Sequence, residues 1–257
     1  MPSGGGMSSF LGENPKVCVV IPTYNERENI SSLINEILNV ASKQNLNLEI
    51  LVVDDNSPDG TADLVEEIAR NEASVHLLKR PGKMGLGSAY KEGFTKAIKD
   101  FGAEILVQMD ADGSHNPSYL PTLIGKILEG YDVVVGSRYI PGGSVVGWGV
   151  KRRLISFGGN KLARLFCGVK IRDATSGYRA LRAEAVEKMG LSRVISSGYA
   201  FQVETLFLAK RAGLKICEIP ITFVDRIKAR SKLGVGEIFR FAWLCVRLLL
   251  KRVFGRP

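Results

Sequence analysis

The feature that most restricts the fold is a rhythm in the first half of the chain. Five short runs of strand-forming residues recur: KVCVVIPT at 16–23, EILVVD at 49–54, VHLLK at 75–79, EILVQM at 104–109 and DVVVGS at 132–137. The segments between them carry apolar residues at helical spacing. In 28–41 these are Ile30, Leu33, Ile34, Ile37 and Leu38, and 61–71, 87–100 and 117–128 also read as helices. Asp59-Gly60 supplies the turn before residue 61, and Pro117 sits at a helix start. Strands that are apolar nearly throughout cannot leave one face in water. The expected fold is therefore α/β, with a mostly parallel central sheet covered by helices on both faces. Sheets of this kind bind ligands beyond the carboxyl ends of their strands.

The second half is less regular. Residues 151–166 read as a basic helix, 173–182 (DATSGYRALR) as a loop leading into a short strand, and 198–213 as a helix. Residues 215–224 (KICEIPITFV) alternate like a single strand, and 236–254 form a last helix. Residues 1–15 are rich in Gly, Ser and Pro without periodicity and are expected to be disordered. They show no charged segment followed by an apolar one, so no secretory signal is read there. The resulting division is a disordered start (1–15), one domain (16–235) and a terminal amphipathic helix (236–257). The four cysteines lie among apolar neighbours with no CxxC pair, which suits reduced, buried thiols. With two widely spaced histidines, a zinc site is not expected.

Charge is concentrated at the end. Of a net +9, residues 226–257 carry nine Lys/Arg and one Asp/Glu, so +8, which leaves about +1 for the rest. In the last helix Arg240, Arg247 and Lys251 fall on one narrow stripe, and nearly everything else is apolar. The run is too short and too charged to span a bilayer, which takes about 20 apolar residues. It can lie in a membrane interface, pack on transmembrane helices of a partner, or serve as an ordinary core helix. A basic tail can also meet nucleic acid, but no nucleic-acid motif accompanies it, and that class is set aside.

The polar residues with chemical potential cluster at the ends of the expected strands. PTYNERE follows the first, DDNSPDG the second, DADGSH the fourth and GSRY the fifth. In an extended segment Asp110 and Asp112 point the same way. Two converging carboxylates repel unless a cation lies between them, and a hard divalent cation takes oxygen ligands shared with a diphosphate. The bland reading is a solvated turn before Pro117. Asp54 and Asp55 can accept hydrogen bonds from a nucleobase or ribose, or can simply organise the Asn-Ser-Pro-Asp-Gly turn. KMGLGSAY contains neither GxGxxG nor GKS/T, so it is neither a dinucleotide fingerprint nor a P-loop. Arg138, Arg152, Arg153, Arg179, Arg226, Arg230 and Lys232 lie near loops and are candidate phosphate ligands; each can equally be a solvated charge. Gln202 and Glu204 interrupt the apolar GYAFQVET segment, as sugar-hydroxyl ligands, supports of the SKL loop, or buried structural groups.

The ordered set PTYNERENI, VVDDNSPDGT, KMGLGSAY, MDADGSH, GSRY, GWGVKRRLIS, TSGYRALR, GYAFQVE and FVDRIKARSKLGVGEI resembles the dolichyl-phosphate (polyprenyl-phosphate) mannosyltransferases, inverting family-2 glycosyltransferases of GT-A fold. The resemblance runs from about Val17 to Ile238. It implies a GT-A nucleotide-diphospho-sugar transferase fold, GDP-mannose as donor, a dolichyl or other polyprenyl phosphate as acceptor, and Mg²⁺ or Mn²⁺. By position it implies that Pro22, Tyr24, Glu26, Asp54 and Asp110 bind the nucleotide and that Asp110 and Asp112 hold the metal. Asp112 and Arg138 would serve catalysis. Arg152, Arg153, Arg179, Arg226 and Lys232 would hold phosphate or acceptor. Two departures stand out: Ser114 replaces a Gln of some members, and the transmembrane helices that other members append are lacking. The resemblance further implies membrane association with the active site on the cytoplasmic face (endoplasmic reticulum in a eukaryote, plasma membrane in a prokaryote), and recruitment by small transmembrane subunits. A UDP-glucose-dependent polyprenyl-phosphate glucosyltransferase and a non-catalytic nucleotide-sugar-binding subunit are the competing readings.

Overall fold

The computed structural model describes residues 14–191, 194, 196, 198–225 and 235–254. The expectation for residues 1–13 lies outside them. The first half alternates as the sequence predicts: β1 (Val17–Thr23), α1 (Arg27–Lys43), β2 (Leu48–Asp54), α2 (Thr61–Asn71), β3 (Val75–Lys79), α3 (Leu86–Phe101), β4 (Ile105–Gln108), a 3-10 turn (Pro117–Tyr119), α4 (Leu120–Leu128) and β5 (Val133–Ser137). The second half adds β6 (Ser144–Val146), α5 (Val150–Cys167), β7 (Arg179–Arg182), α6 (Ala183–Met189), α7 (Gly198–Arg211), β8 (Ile216–Pro220), β9 (Thr222–Val224) and α8 (Val235–Phe254).

The central sheet has seven strands in the order β3-β2-β1-β4-β7-β5-β8. β3, β2, β1 and β4 pair in parallel, as do β5 and β8. β7 runs antiparallel between β4 and β5. The sheet is thus mostly parallel, and the direct adjacency of the fourth and fifth strands is broken by the RALR segment. Strand alternation sorts β1 between two cores. Val19 and Ile21 pack with Ile30, Ile34 and Ile37 of α1 on one face, while Cys18 and Val20 pack with Tyr90 and Phe94 of α3 on the other. Gly93 lets α3 approach closely, because a Cβ there would stand 2.5 Å from Val20 Cγ1.

Two expectations need correction. Residues 215–224 form two strands, not one. Pro220 has no N–H to continue a ladder, and after it the chain leaves β8. Ile221 N–H still bonds Ser137 O, and β9 then pairs with β6 in a separate two-stranded sheet. The alternation of side chains continues across this break, which hides it from the sequence. Strand β6 and helix α6 were not anticipated; at three and seven residues they are too short for a periodic signal.

Helix α8 packs against α5 and α7. It buries Leu244, Cys245 and Leu248 and exposes Trp243, Val246, Leu250 and Phe254. Helix α5 adds exposed Val150, Leu154, Phe157 and Leu165. No helix among the described residues is long and apolar enough to cross a membrane.

Candidate active site

The chain runs outward from β1 through β2 to β3, then returns across β1 to β4. The point of reversal lies between β1 and β4, and sheets of this kind take ligands in the crevice at the carboxyl ends there. The loops that follow β1 and β2 flank it and are tied into one frame. Asn25 N–H donates to Ser57 Oγ at 3.0 Å, Glu26 N–H to Thr61 Oγ1 at 3.1 Å and Arg27 N–H to Asp59 Oδ2 at 3.1 Å. Asn25 and Asn56 supply the left-handed turns, at φ 61° and 57°. Pro22 and Glu26 are partly exposed on this frame, and Tyr24 is exposed with Lys83 Nζ 4.1 Å above its ring.

Asp54 belongs to the frame in a different way from that expected. It is fully buried, and its carboxylate accepts from Thr23 Oγ1 (2.8 Å), Ser57 N–H (2.8 Å) and Ser57 Oγ (2.6 Å). In this conformation it shapes the turn instead of offering an exposed carboxylate to a nucleoside. Asp55 likewise pairs with buried Arg80 (2.6 Å) and accepts from the Met84 and Gly85 amides, which anchors the loop before α3.

The DAD segment lies at the other lip. β4 ends at Gln108 and the chain turns at Ala111–Asp112, with Gly113 at φ 75°. The extended alternation expected to align both acids is therefore absent; Asp110 precedes the turn and Asp112 lies within it. Burial first, and then the charges of Asp110 and Asp112, push the Tyr90 phenol well above its ordinary pKa. Asp112 Oδ1 accepts from Ser114 N–H at 3.0 Å and from the Ser114 hydroxyl. Asp110 N–H donates to His115 Nδ1 at 3.0 Å. That makes Nδ1 the acceptor and turns Nε2, 3.8 Å from Asp110 Oδ2, toward the carboxylate. The His115 ring is buried and stacks on Tyr178 at 4.9 Å.

The arginines divide sharply. Arg138, expected to serve catalysis, is buried and held by Asp173 through Nε (2.6 Å) and Nη2 (2.7 Å), with Thr175 Oγ1 at 2.9 Å. Asp173 and Thr175 thus fix the direction of its guanidinium. Arg179, expected to bind phosphate, is also corrected. It is fully buried and donates to Gln202 O, Thr205 Oγ1 and Ala174 O. Burial lowers its pKa to about 9. Its length carries the guanidinium past the crevice into the α7 contact. Arg152 and Arg153 stand on the first turn of α5. Arg152 is partly exposed, bonds Asp225 at 2.8 Å and lies 4.3 Å over the Trp148 ring. Trp148 packs on Phe223, which packs on His115, so an aromatic bridge joins Arg152 to the DAD lip. Arg153 is exposed and donates to Val145 O. Arg226 and Lys232 lie outside the described residues. Glu204 is a buried structural acid whose partners are the Ser196 amide and hydroxyl.

His115, Tyr90, Trp148 and Asp173 are support residues that the sequence reading assigned no role. His115 stood inside a quoted motif; Asp173 began the DATSGYR stretch. Neither residue type signals its partner without the fold. The oxygen donors of Asp110, one-third exposed, and of Asp112, partly exposed, suit a hard divalent cation completed by diphosphate oxygens and water. Among the described residues no three His, Cys, Asp or Glu side chains converge into a closed metal cluster. Ser114, donating its hydroxyl to Asp112, is placed to orient a ligand more than to be one.

A mostly parallel sheet with an acidic pair beside its switch point suits a nucleotide-sugar transferase architecture. Residues 18–190 match the model of the glycosyl transferase family 2, and the chain belongs to that family. Within it, the chain is 41% identical to polyprenol monophosphomannose synthase of Mycolicibacterium smegmatis, over 98% of this chain and 97% of that one. It is 42% identical to undecaprenyl-phosphate mannosyltransferase of Micrococcus luteus, over 87% of this chain and 89% of that one. Both of these relatives are polyprenyl-phosphate mannosyltransferases. The fold also matches mannosyl-3-phosphoglycerate synthase from Rubrobacter xylanophilus, with a TM-score of 0.66 at 20% identity over 93% of this chain and 74% of that one. A second match is glucosyl-3-phosphoglycerate synthase from Mycobacterium tuberculosis in complex with Mn²⁺, UDP and glucosyl-3-phosphoglycerate. There the TM-score is 0.64 at 22% identity, over 95% and 81% of the two chains.

Proposed function

We propose that this chain transfers mannose from GDP-mannose to a polyprenyl (dolichyl) phosphate, with inversion, using Mg²⁺ or Mn²⁺. The observation that carries the reading is the Asp110–Asp112 pair on the lip of the β1/β4 crevice. The names of the full-length relatives supply the sugar and the lipid class, and the Mn²⁺ held by a protein of the same fold supports the metal.

The acceptor phosphate is an anion at neutral pH and needs no general base. One of its oxygens bonds to the anomeric carbon as the bond from that carbon to the diphosphate breaks. The electron pair leaves with the nucleoside diphosphate and no proton moves. A single displacement of this kind inverts the anomeric carbon. A divalent cation, when bound by Asp110 and Asp112, would offset the charge gathering on the diphosphate. Ser114 holds Asp112, and His115 braces the Asp110 main chain. The frame formed by residues 22–26 and 54–61 holds the guanosine. Arg152 and Arg153 at the start of α5 offer the cationic groups that place the acceptor phosphate for in-line attack. The exposed apolar residues of α5 and α8 rest in a membrane interface, so that the lipid tail need not leave the bilayer and the active site faces the cytoplasm.

The test is transfer of radiolabel from GDP-mannose to polyprenyl phosphate in detergent, with Mg²⁺ or Mn²⁺ and with EDTA, and with UDP-glucose in parallel. Metal-dependent mannolipid is the expected product. Label moving only from UDP-glucose would overturn the donor assignment.

A further inference from the structure

Gln202, in the first turns of α7, is 2% exposed, yet neither end of its carboxamide has a hydrogen-bond partner among the described residues. Leaving both a donor and an acceptor unsatisfied in a buried site is costly, and native proteins rarely do so without a reason. The main chain here is firmly held. Gln202 O accepts from Arg179 Nη1 at 2.8 Å and from Thr205 Oγ1 at 3.0 Å, and the preceding Phe201 ring stacks on Tyr90. The amide is therefore presented by a rigid support.

What it faces is a gap. A Cβ built on Gly177 would lie 3.5 Å from Gln202 Nε2, 3.4 Å from Asp110 Oδ2 and 3.5 Å from His115 Cε1. Three polar residues thus border the room that residue 177 leaves by having no side chain, about the size of one methyl or hydroxyl group. The chemistry of the lining selects the occupant. A phosphate oxygen only accepts and would leave the amide oxygen unpaired. A cation would ignore the amide nitrogen. A pair of neighbouring hydroxyls both donates and accepts, and so satisfies both ends of the carboxamide. Exchanging the two ends of the amide leaves this unchanged.

We infer that Gln202 contacts hydroxyls of the donor's sugar ring in the gap left by Gly177 beside Asp110, and so contributes to sugar selection. The inference rests on the nucleotide-sugar reading above and adds the sugar subsite to it. Two variants test it. Gln202→Leu removes both polar ends at similar volume. Gly177→Ala fills the gap, and its Cβ contacts of 3.4–3.5 Å are ordinary packing distances that the fold accepts. The wild type is first run against a panel of nucleotide sugars. GDP and GDP-mannose are then titrated separately in the presence of Mn²⁺, and transfer is measured with GDP-mannose and GDP-glucose. Both variants should bind GDP within about twofold of wild type, lose at least about tenfold in kcat/KM for GDP-mannose, and discriminate less between the two sugars. Equal losses for GDP and GDP-mannose would instead make Gln202 a positioning residue for Asp110 and overturn the inference. So would unchanged behaviour with both ligands, which would mean that buried water serves the amide. A wild type that uses a different sugar nucleotide refutes the mannose reading alone, and the same comparison is then made with that donor and its nucleoside diphosphate. A wild type that binds no nucleotide sugar overturns both.

Discussion

Asp173→Asn decides whether Arg138 belongs to the framework or to the chemistry. The Asp173 carboxylate is fully buried and accepts from Arg138 N–H (3.0 Å), Nε (2.6 Å) and Nη2 (2.7 Å). The substitution keeps the shape, but it removes the negative charge and turns one acceptor into a donor facing a guanidinium. Arg138, 6% exposed, is left as a buried cation without its counter-ion. Removing one partner of such a pair costs about 3–5 kcal/mol. That is a large part of a total stability of about 5–15 kcal/mol. At about 2–4 °C per kcal/mol for a chain of this size, the Tm should fall by about 6–20 °C. Thermal and urea unfolding read this directly. Adding Arg138→Met to the same chain should recover part of the loss, because the uncompensated charge goes with it. A variant within about 1 kcal/mol of wild type that has nevertheless lost turnover would refute the reasoning and return Arg138 to the reaction.

The remaining predictions bear on the metal, the thiols and the membrane. Asp112→Asn should lower kcat by about 10²–10³-fold while shifting the Tm little, since the side chain is partly exposed and Asn can still accept from the neighbouring Ser114; comparable losses of fold and activity would remove Asp112 from the metal role. Ser114→Ala should weaken apparent Mn²⁺ affinity by about 10–100-fold, and an unchanged metal titration would show that Asp112 needs no support. Burial pushes the Cys217 thiol up to about 11 and the Cys18 thiol higher still. Because the thiolate is the reactive form, iodoacetamide at pH 8 should label both far more slowly than a free thiol, and the Cys217 rate should climb as pH approaches 11; site-resolved mass spectrometry showing fast labelling of Cys217 at pH 8 would contradict this. Replacing exposed Trp243, Leu250 and Phe254 of α8 by Glu should reduce co-flotation with anionic vesicles at least about tenfold without unfolding the chain. Deleting the helix would not be a clean substitute, since Leu244 and Leu248 are buried in the core.

The sequence revealed the fold where many residues repeat one pattern. β3 and α2 fall where periodicity places them, and β1 and β2 lie within a residue of it. It concealed the fold where the decision rests on partners distant in the chain. The antiparallel insertion of β7 depends on what lies beside RALR in space, not on RALR itself. The break after Pro220 depends on the separate pairing of β6 with β9. In the site, the motifs marked the right loops, because polar residues at the ends of apolar strands have little structural reason to be numerous. Which of them meet a ligand was a different question, set by side-chain length and burial.

Gly177 and Arg179 show why. They stand two residues apart in TSGYRAL, and both reach α7 at Gln202. Arg179 is long, and its guanidinium passes beyond the crevice to take the Gln202 carbonyl. Gly177 has no side chain, and its absence leaves the Gln202 amide open toward Asp110. Read as a string, the arginine looks like the ligand and the glycine like a spacer. In space the arginine fixes the support and the glycine makes the room. A motif in this fold therefore mixes contact and scaffold at adjacent positions. A substitution meant to probe chemistry at Arg179 would report stability, while one at Gly177 would report on the sugar.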